Sequence, residues 1–431
     1  MHARGVLSLS LAAVLLPALL RAQAPQRPPA NIGDLIRLAT ENNRELSALR
    51  QRLPEARGML RQAGAKPAPT LEFSGTTGRP LATVGEEQYS ASYNRTIETG
   101  GKRARRIEVA EIGVAVAQAE FDERLRQIGY DIAVLYADAT AQQQRLQRFE
   151  RLVSLNQESI RLTQARVREG DAAQLETQLL EVDLSRAEAE RVTALGQLDA
   201  ILIQLKQLVG VEPSEQLVLA HPDRITALPD VGELQSRASA ERSDLRLARF
   251  LEQQGGAEVR LATAQGTPDV TLTANLSRQY SRFDDQLGLS TSGMPVQLRD
   301  RDDVITVGVQ IPLGTRRRNQ GNVQAASARA AGARLRREYL ERQAAAEVAA
   351  AARRFTAAQS RLGILESRVL GQSEKNLDVI RQAYQLGQFR LLDVLAEQRR
   401  VVETQLNYID AQAELMKSTA ELERAVGGEI R

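Results

Sequence analysis

The 431-residue sequence has no cysteine and no tryptophan, and aromatic residues make up only 3% of it. Without cysteine there is no disulfide framework, no thiolate nucleophile, no cysteine metal site and no lipidated cysteine after a leader. Scarce aromatics argue against a core built on large rings and point to helices packed through Ala, Leu and Val. Histidine is almost missing too: His2 and His221 are the only two. A lone histidine between Ala220 and Pro222 makes a poor transition-metal site, so His221 reads as structural, and no metal or cofactor is expected. No Ser-His-Asp set, glycine-rich phosphate loop or metal cluster suggests catalysis. Past the N-terminus, no run is long and apolar enough for a transmembrane helix, so any membrane-spanning part must be a closed β-barrel. Charge of one sign is also lacking: 57 basic residues face 54 acidic ones, a net of +3. Arg and Glu alternate along helical stretches, so no nucleic-acid partner is expected.

What is present begins with a leader. Arg4 supplies a positive start, residues 6–20 are apolar apart mainly from serines and Pro17, and Ala22 and Ala24 suit cleavage. Residues 1–24 therefore read as a secretory signal peptide.

The rest repeats itself. Pro69-Thr70-Leu71-Glu72-Phe73 opens a β-like run, and a second run over 88–98 ends at Gly100-Gly101-Lys102-Arg103. A proline-free helical pattern covers 103–168, Glu169-Gly170-Asp171 interrupts it, and another helix reaches Val209-Gly210. The second half retraces the order: Pro268-Asp269-Val270-Thr271-Leu272, a run over 304–313, Gly314-Thr315-Arg316-Arg317-Arg318, a helical pattern over 322–386, Gly387-Gln388-Phe389, and a helix to Val426-Gly427. Two copies of strand, strand, long helix, turn, helix are the expected plan. A helix precedes each copy, over 32–62 (capped by Asn31 or Asp34) and 231–264. Residues 25–210 form the first repeat and 231–431 the second. Between them, 211–230 carries Pro213, Pro222 and Pro229 and reads as a linker.

Each long helical pattern would span roughly 100 Å, which implies coiled-coil packing. Leu195, Leu198, Leu202, Leu205 and Val209 alternate steps of three and four, and Leu395, Val402, Leu406, Ile409, Ala413 and Met416 form a second seam. Alanine clusters at 344–346 and 349–352 would let helices approach closely.

The β-like runs alternate. Val270, Leu272, Ala274 and Leu276 oppose Thr271, Thr273 and Asn275. Ile305, Val307, Val309 and Ile311 oppose Thr306, Gly308 and Gln310, and Tyr89, Ala91 and Tyr93 oppose Ser90 and Ser92. Runs of about ten residues with one apolar face suit transmembrane strands, although a half-buried soluble sheet has the same period. Segments 74–87 and 281–302 are polar and glycine-containing and are expected as outward-facing loops. Four strands cannot close a barrel with an open lumen, and free edges are forbidden in lipid, so several subunits must pool their strands.

Three signatures add to this plan: Ile97-Glu98-Thr99-Gly100-Gly101-Lys102-Arg103 with Arg106 and Ala110; Tyr384-Gln385-Leu386-Gly387-Gln388-Phe389 with Leu392-Asp393-Val394-Leu395; and Arg168-Glu169-Gly170-Asp171 with Leu175 and Glu176. With the duplication, they make the chain resemble the TolC-like outer-membrane efflux family over essentially its mature length. The first signature is similar to the heavy-metal-efflux, CzcC-type branch. The resemblance implies a mainly α fold with a small β part: a periplasmic tunnel of long helices and a twelve-stranded barrel, pooled in a homotrimer in the outer membrane. It further implies docking to a periplasmic adaptor and an inner-membrane pump, often of the proton-driven resistance-nodulation-division type. Hairpin tips at Gly170, Asp171, Leu386, Gly387, Gln388 and Phe389 would meet the adaptor, although helix-stop chemistry alone explains both glycines. Glu176 and Asp393, each six residues beyond a tip glycine, are candidate gate residues. Where the family's second hairpin often carries a further acid, this chain has Ala396. Three copies of such an acid near a closed pore axis would repel and raise their own pKa.

Lys102, Arg103, Arg316 and Arg317 follow strands. They read as side chains reaching lipid headgroups or as a ring of charge within the tunnel. The expected function is a passive export duct for metal cations or small toxic compounds. A type I protein-secretion channel is the alternative. A periplasmic adaptor would have one hairpin and more strands, and a plain coiled coil would leave the strands unexplained.

Overall fold

The computed structural model describes residues 29–77, 80, 86–220 and 229–430; the leader and both histidines lie outside them. The first repeat runs α1 (Ile32–Asn42), α2 (Arg44–Arg50), α3 (Arg52–Ala63), β1 (Thr70–Thr77), β2 (Glu87–Ile97), α4 (Lys102–Glu169) and α5 (Gln174–Val209). The second runs α6 (Val231–Glu241), α7 (Ser243–Gln265), β3 (Val270–Leu289), β4 (Pro295–Gln310), α8 (Thr315–Arg318), α9 (Gln320–Ile364), a π turn (Leu365–Val369), α10 (Leu370–Gln385) and α11 (Leu391–Val426). The chain is mainly helical with one small sheet. No helix among the described residues is long and apolar enough to cross a membrane.

At 68 residues, α4 extends about 100 Å. Left-handed glycines bound it, Gly101 at φ 70° and Gly170 at φ 85°. The α9–π–α10 stretch replaces the single helix expected over 322–386. A π turn keeps the axis while shifting the face by one residue, which an apolar pattern does not register.

The pre-strand helices are also broken. Asn43 stands extended between α1 and α2, and Arg242 does the same between α6 and α7. The cause is tertiary. The Asn43 amide donates to the Leu208 carbonyl at 2.7 Å while its oxygen caps Leu46 at 3.0 Å. The buried Arg242 guanidinium donates to the Ala425 carbonyl at 3.0 Å. Each break thus ties to the C-terminal end of its own repeat.

Two equivalent cores result. In the first, Leu35 and Ala39 of α1 and Leu46 of α2 pack on Ile128, Ile132 and Tyr136 of α4 and Leu205 and Val209 of α5. In the second, Leu234 and Ala238 of α6 pack on Val348, Ala351 and Phe355 of α9 and Leu422 and Val426 of α11. The α11 seam is covered at Leu395, Ile409 and Ala413. The α5 seam is covered at Leu205 and Val209, whereas Leu195 stays exposed in the single subunit. Of the linker, Val218 and Ala220 bond Ala30 through the backbone at 2.8 and 3.0 Å, a short parallel bridge.

The four strands form one antiparallel sheet in the order β1-β2-β3-β4. Both loop expectations change here: residues 74–77 continue β1, with 78–79 and 81–85 outside the described residues, and most of 281–302 continues the β3–β4 hairpin to a turn over 290–294. Gly293 in that turn is left-handed and donates to the Ser290 carbonyl at 2.8 Å. Charged residues are depleted in ordinary strands, so the Arg299-Asp300-Arg301-Asp302 run masked this one.

Candidate channel wall, junction and hairpin tips

Register turns the strand alternation into two faces. On one, Leu71, Tyr93, Ala274 and Val307 align across the sheet, next to Phe73, Ala91, Leu276 and Ile305. Phe73, Ile305 and Val307 are about three-quarters exposed (74%, 76% and 76%), which a soluble sheet would not tolerate across a whole face. On the other face, Glu72, Ser92, Asn275 and Thr306 align, next to Thr70, Asn94, Thr273 and Gly308. Their side chains bond across strands: Asn275 to Ser92, Thr273 to Asn94, and Ser74 with Ser90, all at 2.8 Å. With its 11 residues, β2 has the length of a tilted membrane strand. β1 and β4 are open edges.

Where sheet meets helices, Gly100 and Gly101 turn the chain at φ 66° and 70°. A Cβ on Gly100 would fall 2.7 Å from the Thr267 hydroxyl, so the close approach also requires glycine. Buried Lys102 pairs with Asp269 at 2.8 Å, and Asp269 also accepts the Thr99 amide at 3.0 Å. Arg106 forks onto Glu98 and reaches the Ala65 carbonyl at 3.2 Å. Arg103 donates to the Gly64 carbonyl at 2.6 Å. Burial pushes the Asp269 carboxyl up, but Lys102, the Thr99 amide and Arg106 together hold it below its ordinary value. Arg106 holds Glu98 low as well, against burial. In the second repeat, Thr315 donates to the Gly266 carbonyl at 2.8 Å and buried Asn319 to that of Ala262. Lys102, expected as a headgroup contact or part of a charge ring, is buried in the single subunit and turned towards Asp269. Arg103 is exposed yet bonded inward. Arg316 and Arg317 are exposed.

Both tips share one turn. Gly170 and Asp171 donate to the Val167 and Arg166 carbonyls at 3.2 and 2.9 Å. Gly387 and Gln388 donate to those of Tyr384 and Ala383 at 2.9 Å each. These are paired Schellman closures requiring a left-handed residue. Leu386 and Phe389 stand exposed. Behind them the two hairpins join. The Tyr384 hydroxyl donates to Glu176 Oε2 at 2.8 Å and receives Arg166 at 3.2 Å, and Leu180, Leu391 and Leu395 pack below. Burial and the Glu176 carboxylate raise the Tyr384 pKa above the usual phenol value. Asp393 behaves differently: exposed, it accepts the Arg390 amide at 3.0 Å and caps its own helix. Glu176 and Asp393, matched by position, are not brought together.

A family model described as outer membrane efflux protein matches residues 35–211 and 234–428. The chain belongs to the outer membrane efflux protein family. A relative in Cupriavidus metallidurans, the cobalt-zinc-cadmium resistance protein CzcC, is 24% identical over 407 residues, covering 93% of this chain and 90% of that one. The nickel-cobalt-cadmium resistance protein NccC of Alcaligenes xylosoxydans xylosoxydans is 29% identical over 273 residues, covering 62% and 57%. The solved structure of CusC superposes with a TM-score of 0.74 at 20% identity, covering 92% of each chain. The resemblance to efflux channels with metal-resistance relatives stands.

Within this outer membrane efflux protein, several key residues had no assigned role from sequence. Asp269 receives Lys102 from 167 positions away, Arg242 looked like an ordinary helix residue, and Tyr384 was legible only as part of a tip motif. None of these pairs has a helical or strand spacing, so no periodicity could have joined them.

Proposed function

We propose that this chain is one subunit of a homotrimeric outer-membrane duct, a passive exit for metal cations or small toxic compounds. One observation carries the reading: a four-stranded sheet with two open edges, one face bearing a largely exposed apolar band, and the other polar. In lipid such edges must be paired, and sister subunits offer the matching edges. The polar face then lines the lumen and the apolar face meets hydrocarbon. The helices extend from the opposite end into the periplasm. The metal-resistance relatives favour metal cations as cargo.

An inner-membrane pump of the resistance-nodulation-division type and a periplasmic adaptor supply the cargo. The adaptor grips Leu386, Gly387, Gln388 and Phe389 together with Gly170 and Asp171. Glu176, held by Tyr384, belongs to the closed state of the tips, and Asp393 sets the start of the helix beside it. Residues 25–210 and 231–431 act as the two repeats of the subunit, joined by 211–230. Purified protein in a planar bilayer should give discrete single-channel conductance steps. A protein that folds and inserts yet conducts nothing would contradict this reading.

A further inference from the structure

The β3–β4 hairpin outruns β1 and β2, and alternation sorts its charges. On β4, Arg299, Arg301 and Asp303 share the face of Ile305 and Val307, while Asp300 and Asp302 share the polar face. Register adds Arg278, opposite Asp303, and Arg282, opposite Arg299, to the apolar side. Beyond the apolar band, among the described side chains, the outward face holds four guanidinium groups against two carboxylates, Asp303 and Glu87. Asp303 accepts Arg278 at 2.6 and 3.1 Å and lies 3.9 Å from Arg301. Glu87 accepts the Tyr89 hydroxyl at 3.1 Å. Arg282 and Arg299 are direct cross-strand neighbours. Tyr89 aligns with Arg278, and Tyr280 with Arg301, so aromatics mark where the apolar band gives way to charge.

A face apolar below and cationic above matches an amphiphile of opposite order: hydrocarbon along the band and anionic oxygens at the guanidinium forks. Guanidinium recognises phosphate in a bidentate manner. We propose that Arg278, Arg282, Arg299 and Arg301 bind the phosphate groups of a phosphorylated lipid in the outer leaflet, fixing the barrel's depth and the protruding hairpin. This rests on the reading that the apolar face meets lipid.

The test uses full-length protein in detergent, with lipid retention read by native mass spectrometry. The probes are a bisphosphorylated lipid A, the same lipid stripped of phosphate, and inorganic phosphate. Wild type should retain the bisphosphorylated lipid, and the double variant Arg299→Ala, Arg301→Ala should hold it at least about tenfold more weakly. The Arg299→Lys, Arg301→Lys pair should fall between them. Equal retention of the stripped lipid, unchanged retention by the alanine variant, or full displacement by millimolar inorganic phosphate would overturn the proposal. Parallel conductance recordings separate the two ideas. Pores in wild type and variant without phosphate-dependent retention sink the lipid site alone, whereas no pores in wild type sink the channel reading.

Discussion

Arg242 donates to the carbonyl oxygen of Ala425 at 3.0 Å across 183 residues of sequence. The acceptor lies two residues before Gly427, just as Leu208, the acceptor for Asn43, lies two before Gly210. Both glycines are left-handed and closely approached: a Cβ would lie 3.0 Å from Arg242 Cα at Gly427 and 2.6 Å from the Asn42 carbonyl carbon at Gly210. The duplication thus extends to the knot that locks each repeat. Arg242 also binds Asp244 at 2.7 Å and Glu347 at 2.8 Å, so Arg242→Ala removes the donor shared by two carboxylates and one carbonyl. Its loss should destabilise the subunit by about 3–5 kcal/mol, read by denaturant titration. Arg242→Lys should recover only part, since an ammonium lacks the planar fork that holds Asp244 while also reaching Glu347 and Ala425.

In the second core, Phe355 is 1% exposed among Leu234, Val348, Leu422 and Val426. Phe355→Ala should cost about 3–5 kcal/mol, because closely packed helix backbones cannot collapse into the cavity. The same change at Tyr339, which is 55% exposed, should shift the denaturation midpoint far less.

The strand–helix junction should fail in acid. Asp269 and Glu98 both titrate below their ordinary values, so their folded pKa lies under the unfolded one. Their stabilisation is complete above the unfolded values near pH 4 and fades as pH falls through the folded values. A melting series between about pH 6 and 3 should show this loss. Asp269→Asn should flatten the series and lower stability at neutral pH, and an unchanged slope would contradict the assignment.

At the tips, Tyr384→Phe removes the hydroxyl that ties Glu176 to the second hairpin. A hydrogen bond to a charged group contributes roughly 1.5–3 kcal/mol, so the closed state should lose about tenfold or more in population. Open probability of single channels measures this. Asp393→Asn should change it less, because Asp393 serves its own helix.

The lumenal face carries Glu72, Asp300 and Asp302 and no basic residue among the described positions of the paired strand runs. The pore should therefore favour cations. Reversal potentials under a salt gradient should move towards zero in the double variant Asp300→Asn, Asp302→Asn.

Much of this was legible in the sequence. Gly170 and Gly387 stop helices by a local rule, and the alternation from Val270 to Leu276 fixes both faces of a strand. What escaped was set by distant partners. The breaks at Asn43 and Arg242 exist because helix ends from elsewhere in the chain need donors there. Lys102 read as a headgroup contact or a tunnel charge, and its pairing with Asp269 was not legible. The extended hairpin was missed because Arg299 to Asp302 alternates in charge sign, a pattern that hydrophobic period does not detect.

The account turns on strands of sister subunits sharing one barrel, and the absence of native cysteine makes a direct measurement available. One cysteine placed at Ser74 on β1 is combined in turn with one at Val304, Thr306 or Gly308 on β4, all on the polar face. A Ser92, Asn275 pair within the subunit serves as control. Oxidised envelopes should yield covalent dimers and trimers for at least one edge pair on a non-reducing gel. Efficient bonding of the control with no intersubunit product from any edge pair would contradict the shared barrel.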